Sequence, residues 1–158
     1  LPRTGINWQN RGCSFSLDPQ HLNVLAPGKK PFHTLNPALA RLKDGRTMVY
    51  GTMGGDGQPQ TQAAVFTRYA VFGQAVQQAI TAPRWLLGRT WGQSSDSLKL
   101  ESRFAPEIID GLRKLGHEVD VIAEFDEMVG HAAAIVRDAD GIFAGGFDPR
   151  SNGIAAGF

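Results

Sequence analysis

The segment TMVYGTMGGDGQPQTQAAVFTRYA (residues 47–70) passes from a strand pattern into a helix pattern across two adjacent glycines. Ala63, Ala64, Phe66, Thr67, Ala70 and Val71 recur at helical spacing after Pro59, which is tolerated in a first helical turn. A helix that starts so soon after Gly54 and Gly55 leaves their backbone N–H groups free to point at an anion. That is the geometry of an oxyanion hole.

Upstream, ALARL (38–42) and TMVYGTM (47–53) flank Lys43-Asp44-Gly45-Arg46. Asp-Gly supplies the positive φ angles that a tight hairpin turn needs. Further upstream, residues 5–10 read as a short strand, and residues 12–37 form a long segment rich in Pro, Asn, Gly and Ser. A loop of that length in a folded domain is usually functional. Downstream, Gly73 interrupts the first helix, a shorter one covers residues 75–81, and Pro83 ends it. A short strand follows at 98–100. Pro106 then opens a helix through Ile108, Ile109, Leu112 and Leu115, with Gly116 as its stop. The period returns to two over 117–123, 132–137 and 142–146, the last two strands being joined at Ala139-Asp140-Gly141. No repeat, low-complexity tract or linker divides the chain, so residues 1–158 read as a single domain piece. Strands and helices in separated runs predict an α+β fold with helices on antiparallel sheet.

Composition narrows the function. The chain has 158 residues, 42% hydrophobic and 20% charged, and a formal charge of +1 from 16 basic and 15 acidic residues. Those charges are dispersed, with no basic block to track a phosphate backbone or an anionic bilayer, so neither nucleic acid nor membrane is an expected partner. The single cysteine, Cys13, cannot form an internal disulfide and has no nearby His in sequence to activate it. The opening LPRTGINWQN lacks an initiator Met and the pattern of a signal peptide, and reads like the middle of a longer chain. LPRTG matches a sortase signal, but neither an apolar stretch nor a basic tail follows it.

Seven landmarks occur in order: GI..QN....F (5–15), PGKKPFHTLNP (27–37), the KDG turn, G..GG (51–55), APRW (82–85), GH (116–117) and G..DPR..G.A..F (145–158). Together they resemble the C-terminal part of the gamma-glutamyltranspeptidase family over essentially the whole chain. The wording PFHTLNPAL and GDGQPQTQAA is closer to the acylase-like branch, which includes oxamate amidohydrolases, than to true transpeptidases. The resemblance implies an N-terminal nucleophile hydrolase with an αββα sandwich, made as a proenzyme that cuts itself before a threonine. The new N-terminal Thr supplies the attacking hydroxyl and, in its amine, the base. The family's oxyanion donors fall here on Gly54 and Gly55, the expected catalytic residues. Thr4 is too close to the GI..QN segment to be the family's nucleophile. The chain is therefore expected to be a piece of the small subunit, needing the large subunit and the N-terminal part of the small one as partners. It would not catalyse alone.

The same resemblance narrows the substrate class. Transpeptidases place an acidic residue before the Phe of GI..QN....F to bind the α-amino group of glutamate, and Ser14 stands there. Where they place a serine pair on the α-carboxylate, this chain has His33 and Thr34. A hydroxyl cannot neutralise a buried ammonium, and an unpaired buried charge costs on the order of several kcal/mol. A gamma-glutamyl donor is thus disfavoured. Arg11, Ser14, His33 and Thr34 are expected to form a substrate site for a small carboxylate-bearing, oxamate-like amide. The alternatives are another acyl transferase or acylase of the family and a non-catalytic binding domain.

Plainer readings stand beside these. His33 could cap a neighbouring turn, Arg11 could be a solvated or paired side chain, and the glycine pair could be only a turn. His117 and His131 have no metal-spaced partner, so no zinc is expected. Asp148, Pro149 and Arg150 read as a structural turn and ion pair. Trp8, Trp85 and Trp91 read as core or subunit contact. No cofactor is expected, since amide hydrolysis through a Thr ester needs none. A homo-oligomer of the processed heterodimer stays open as a further partner. The expected compartment is the cytoplasm, with the periplasm as alternative. Proline at position 54 or 55 is expected to remove an N–H and abolish turnover while leaving the fold largely intact.

Overall fold

Asp44 and Gly45 turn the chain back on itself in the computed structural model, which describes Arg3, residues 9–90 and residues 94–157. The chain divides into two units, Leu1–Leu35 and Asn36–Phe158. The first unit holds a short 3-10 turn, Arg11–Ser14, and an isolated bridge between Ser16 and Val24. The rest of its described residues are turns and irregular chain, as its Pro, Asn, Gly and Ser content predicts. The strand expected over residues 5–10 lies almost entirely outside the described residues. So do Thr4, Trp8 and Trp91.

The second unit opens with the hairpin of β1 (Ala38–Arg41) and β2 (Thr47–Met53), closed by the Leu42 N–H bonded to the Arg46 carbonyl at 2.8 Å. Only Gly45 takes a positive φ in this turn, at 90°. The connection is therefore a three-residue loop with glycine in the left-handed position, rather than one with two positive φ angles. Next come α1 (Gln58–Ala70), α2 (Val76–Thr81), β3 (Trp85–Leu87), β4 (Leu98–Glu101), α3 (Pro106–Lys114), β5 (Val119–Ile122), β6 (His131–Arg137) and β7 (Phe143–Phe147).

Four strands form an antiparallel sheet in the order β1-β2-β6-β7. Its pleat sends Met48, Ala132, Ala134 and Val136 to one face, where they pack with Val65 and Tyr69 of α1 and Val76, Ala79 and Ile80 of α2. Burying each larger aliphatic side chain contributes about 1.5–3 kcal/mol. Gly146 lets α2 approach β7, because a Cβ there would lie 2.8 Å from Ile80 Cδ1. The opposite face is apolar as well. Leu39 pairs with Val49, Val49 with Ile135, and Ile135 with Gly145, making a row across all four strands. Leu39, Val49 and Ile135 are 63%, 43% and 49% exposed.

β3, β4 and β5 form a second sheet. Two features depart from the expected fold. β3 was not foreseen, because three residues behind Pro83 are too few to show a period. β4 and β5 run parallel, since α3 carries the chain back to start β5 beside β4 in the same direction.

A buried ionic network ties the two sheets together. Arg84, ahead of β3, pairs with Asp148 after β7, and Arg150 Nη2 pairs with Glu101 Oε2 of β4 at 2.6 Å. Asp148 Oδ2 also accepts the Ala132 N–H of β6 at 2.6 Å, and Glu101 Oε2 accepts the Arg84 N–H at 2.9 Å. Burial outweighs the pairing at Arg84 and brings its guanidinium down to about 10. At Asp148 burial pulls upward, but Arg84 and the N–H groups of Ala132 and Arg150 outweigh it and hold the carboxyl below its usual value. The DPR motif is thus a turn and ion pair, as expected, and also a joint between sheets.

Candidate active site

The link from β2 to α1 is made of residues that only glycine conformations allow. Gly54 has φ 152° and Gly55 φ 48°. Gly55–Gly57 form a 3-10 turn that runs directly into α1. The Gly54 carbonyl accepts the Gly57 N–H at 2.7 Å, and the Met53 carbonyl accepts the Thr52 hydroxyl at 2.6 Å. In a trans peptide the N–H points opposite to the carbonyl. The Gly55 N–H therefore faces away from the turn interior, and the Gly54 N–H away from the Thr52 hydroxyl. Neither donates a hydrogen bond among the described residues. Two unspent donors next to the N-terminus of a 13-residue helix make a place where negative charge is favoured.

Neighbouring segments press close on this turn. A Cβ on Gly55 would lie 2.4 Å from the Thr90 carbonyl oxygen, and one on Gly57 2.8 Å from Leu86 Cδ1. Gly130, with φ 86°, packs behind: a Cβ there would meet the Met53 carbonyl at 2.5 Å. Side chains from the first turns of α1 hold these pieces. Gln58 Nε2 donates to the Gly55 carbonyl at 3.2 Å, and buried Thr61 donates to the Val129 carbonyl at 3.0 Å. Thr90 Oγ1 donates to the Met128 carbonyl at 2.5 Å. Buried Lys99 donates to the Gly88 carbonyl at 2.7 Å, Ser95 Oγ at 2.9 Å and Ser97 Oγ at 2.8 Å, fixing both ends of the loop that carries Thr90. A cavity of about 270 Å³ opens beside the turn, lined by Asp56, Leu87, Gly88, Arg89 and residues 94–96.

Sequence reading missed Gln58, Thr61, Thr90, Lys99 and Gly130. Thr61, Thr90 and Gly130 meet partners in other segments, and Lys99 reaches Gly88 as well as its neighbours Ser95 and Ser97. The one available signal was the density of Gln and Thr in QPQTQ, more than a solvated helix start requires.

The expected substrate residues all lie in the first unit. Arg11 Nη1 donates to Thr34 Oγ1 at 2.6 Å, so these two are brought together. Arg11 Nε is buried with no hydrogen-bond partner among the described residues. His33 Nδ1 accepts the Leu35 N–H at 3.2 Å, so His33 does cap its own turn. That bond fixes the neutral ring's proton on Nε2, which remains a donor. Ser14 is half-buried at the end of the 3-10 turn, with no hydrogen bond to the other three. His131 Nε2 lies 3.9 Å from Glu127 Oε2, and among the described residues no three His, Cys, Asp or Glu side chains gather as a metal site. Cys13 is exposed, and Trp85 lines a groove with Leu87, Leu98 and Leu100. No described helix is long and apolar enough to cross a membrane.

A family model described as Gamma-glutamyltranspeptidase matches residues 1–158. The chain is 71% identical over 158 residues to a Klebsiella pneumoniae protein named oxamate amidohydrolase proenzyme, covering all of this chain and 30% of that protein. It is 49% identical over 154 residues to a glutathione hydrolase-like proenzyme of Bacillus subtilis, covering 98% of this chain and 29% of the relative. It thus spans less than a third of the length of either. Among solved structures, cephalosporin acylase from Bacillus halodurans superposes with a TM-score of 0.65 at 34% identity, over 97% of this chain and 28% of the acylase. The Bacillus anthracis transpeptidase CapD, at 23% identity, superposes with a TM-score of 0.67 over 87% and 80% of the two chains, a likeness of fold alone.

Proposed function

Since the chain belongs to the gamma-glutamyltranspeptidase family, we propose that it is part of an amidohydrolase that cleaves a small carboxylate-bearing amide of the oxamate type. The observation that carries this reading is the pair of N–H groups at Gly54 and Gly55 that donate to nothing among the described residues. In the proposed reaction a threonine hydroxyl, supplied from outside this chain, attacks the amide carbon and passes its proton to the threonine's own amine. The carbonyl oxygen becomes an oxyanion held by the two N–H groups. As the C–N bond breaks, the amine returns the proton to the departing nitrogen, and ammonia leaves. Water then attacks the threonine ester and releases the acid.

Arg11, held by Thr34, and the Nε2–H of His33 supply donors suited to a carboxylate, whereas Ser14 offers no charge for an α-ammonium. The 71% identity to a protein named for oxamate supports the same substrate class. The exposed apolar row Leu39–Val49–Ile135 supports a second layer contributed by the rest of the proenzyme.

The test uses the full-length, self-processed protein with oxamate, a gamma-glutamyl anilide and glutaryl amides, each with and without glycylglycine. The expected result is oxalate and ammonia from oxamate, indifferent to glycylglycine. Turnover of the anilide stimulated by glycylglycine, with none of oxamate, would replace this reading by the transferase.

A further inference from the structure

β3 lies at the edge of its sheet, with β4 on one side only. Arg84 and Gly88 turn their polar groups toward β4, since the Arg84 carbonyl accepts the Glu101 N–H at 3.2 Å and the Gly88 N–H donates to the Ser97 carbonyl at 3.0 Å. By the alternation of a strand, both polar groups of Leu87 face the open edge. One side chain takes them both. The Leu87 N–H donates to Gln60 Oε1 at 2.8 Å, and Gln60 Nε2 donates to the Leu87 carbonyl at 2.9 Å. A carboxamide offers one donor and one acceptor side by side, so it stands in for a residue of a neighbouring strand.

The position of this clamp gives it a further consequence. Gln60 lies two residues into α1 beyond Gln58, and Leu87 lies three residues before Thr90, whose carbonyl presses on Gly55. We infer that Gln60 is a positioning residue for the reaction: its two bonds to Leu87 hold the Thr90 wall against the Gly54–Gly55 turn and so fix where the two N–H groups point. The inference rests on reading those groups as oxyanion donors. It needs no contact between Gln60 and substrate.

The molecule carries its own control. Gln77 of α2 makes the same pair of bonds to the Phe147 main chain of β7, at 2.9 and 3.0 Å. β7 is separated from β2 by β6, and its clamp is not on the chain that walls the turn. Losing either clamp frees a strand edge, but only the loss of Gln60 loosens the segment that leads into Thr90.

Gln60→Ala and Gln77→Ala are compared in the full-length processed protein by kcat and KM on oxamate, melting temperature, and amide exchange over residues 54–57 and 87–90. The expected outcome is a similar fall in melting temperature for both. Only Gln60→Ala should lose kcat, by about tenfold or more, with KM within about twofold, as a small misplacement of catalytic groups predicts. Exchange over 87–90 should quicken in Gln60→Ala alone. Wild-type kcat in Gln60→Ala, or an equal loss in Gln77→Ala, would overturn the inference. If the wild-type protein hydrolyses no amide, the oxyanion reading fails by itself, and the exchange rates decide: quickening confined to Gln60→Ala keeps the clamp as the wall's anchor, and unchanged exchange removes it.

Discussion

At Gly55 one methyl group is enough to test the candidate site. An alanine Cβ there would sit 2.4 Å from the Thr90 carbonyl oxygen, a backbone atom that cannot swing aside, and the φ of 48° adds strain of about 1–2 kcal/mol. The turn and the wall must separate, and the N–H groups turn with them. Gly55→Ala in the full-length protein is expected to lower kcat/KM about 100-fold or more, the scale of losing an oxyanion donor, and to lower the melting temperature. Gly111→Ala is the matched control, since nothing lies within 4 Å of its added Cβ in α3. That change should raise stability by up to about 1 kcal/mol and leave turnover alone. Undiminished turnover in Gly55→Ala would argue that the turn holds no reacting oxygen. Proline is a poorer probe than the sequence suggested. Gly54 at 152° and Gly55 at 48° are both far from the fixed proline φ of about −65°, so proline would break the turn's shape along with its N–H.

Among elements, those carried by a period were legible: the hairpin, α1, α3 and the last two strands are where spacing and glycine stops put them. β3 was not, because three residues cannot display alternation and Leu86 is buried by long-range packing. The glycine pair is singled out by the ordered landmarks around it, since two adjacent glycines alone mark only a turn. Thr61, Lys99 and Gln60 are not, since their roles depend on segments far away in sequence. The Arg84–Asp148 joint shows the limit most clearly: DPR reads locally as a turn, and only the fold brings Arg84, Glu101 and Ala132 to it. Asp148→Asn keeps the shape but leaves Arg84 buried without its counter-charge, which typically costs about 3–5 kcal/mol. The pH dependence follows from the depressed Asp148 carboxyl. Its folded value lies below the unfolded one of about 3.9, so its stabilisation is complete above that value and drains away as pH falls through the folded value. Thermal unfolding of wild type and Asp148→Asn across pH should show a wide gap at neutrality that begins to close below about pH 4. A gap constant into strong acid would mean that the charge of Asp148 contributes nothing to the joint.

For the whole molecule, the informative surface is the sheet face that α1 and α2 do not cover. An antiparallel sheet that meets water on one side alternates apolar and polar residues, whereas this one places Leu39, Val49 and Ile135 in a row on its uncovered side. Apolar side chains on both faces are the pattern of a sheet inside a sandwich. Part of the cover comes from the chain itself, because Ala155 packs over Gly145 of β7, where a Cβ would lie 2.8 Å away. On the proposed reading, the row on β1, β2 and β6 is covered by residues elsewhere in the full-length protein, since the chain spans less than a third of the length of either relative. Val49→Lys in the full-length protein would bury an ammonium between two layers without a partner, a cost of several kcal/mol. Leu115→Lys, at the 79% exposed end of α3, has no such layer to disturb. The expected result, read from the two fragments of self-cleavage on a denaturing gel, is that Leu115→Lys processes normally and Val49→Lys does not. Normal processing and wild-type solubility of Val49→Lys would mean that this face meets water in the finished protein, and the second layer would have to be sought elsewhere.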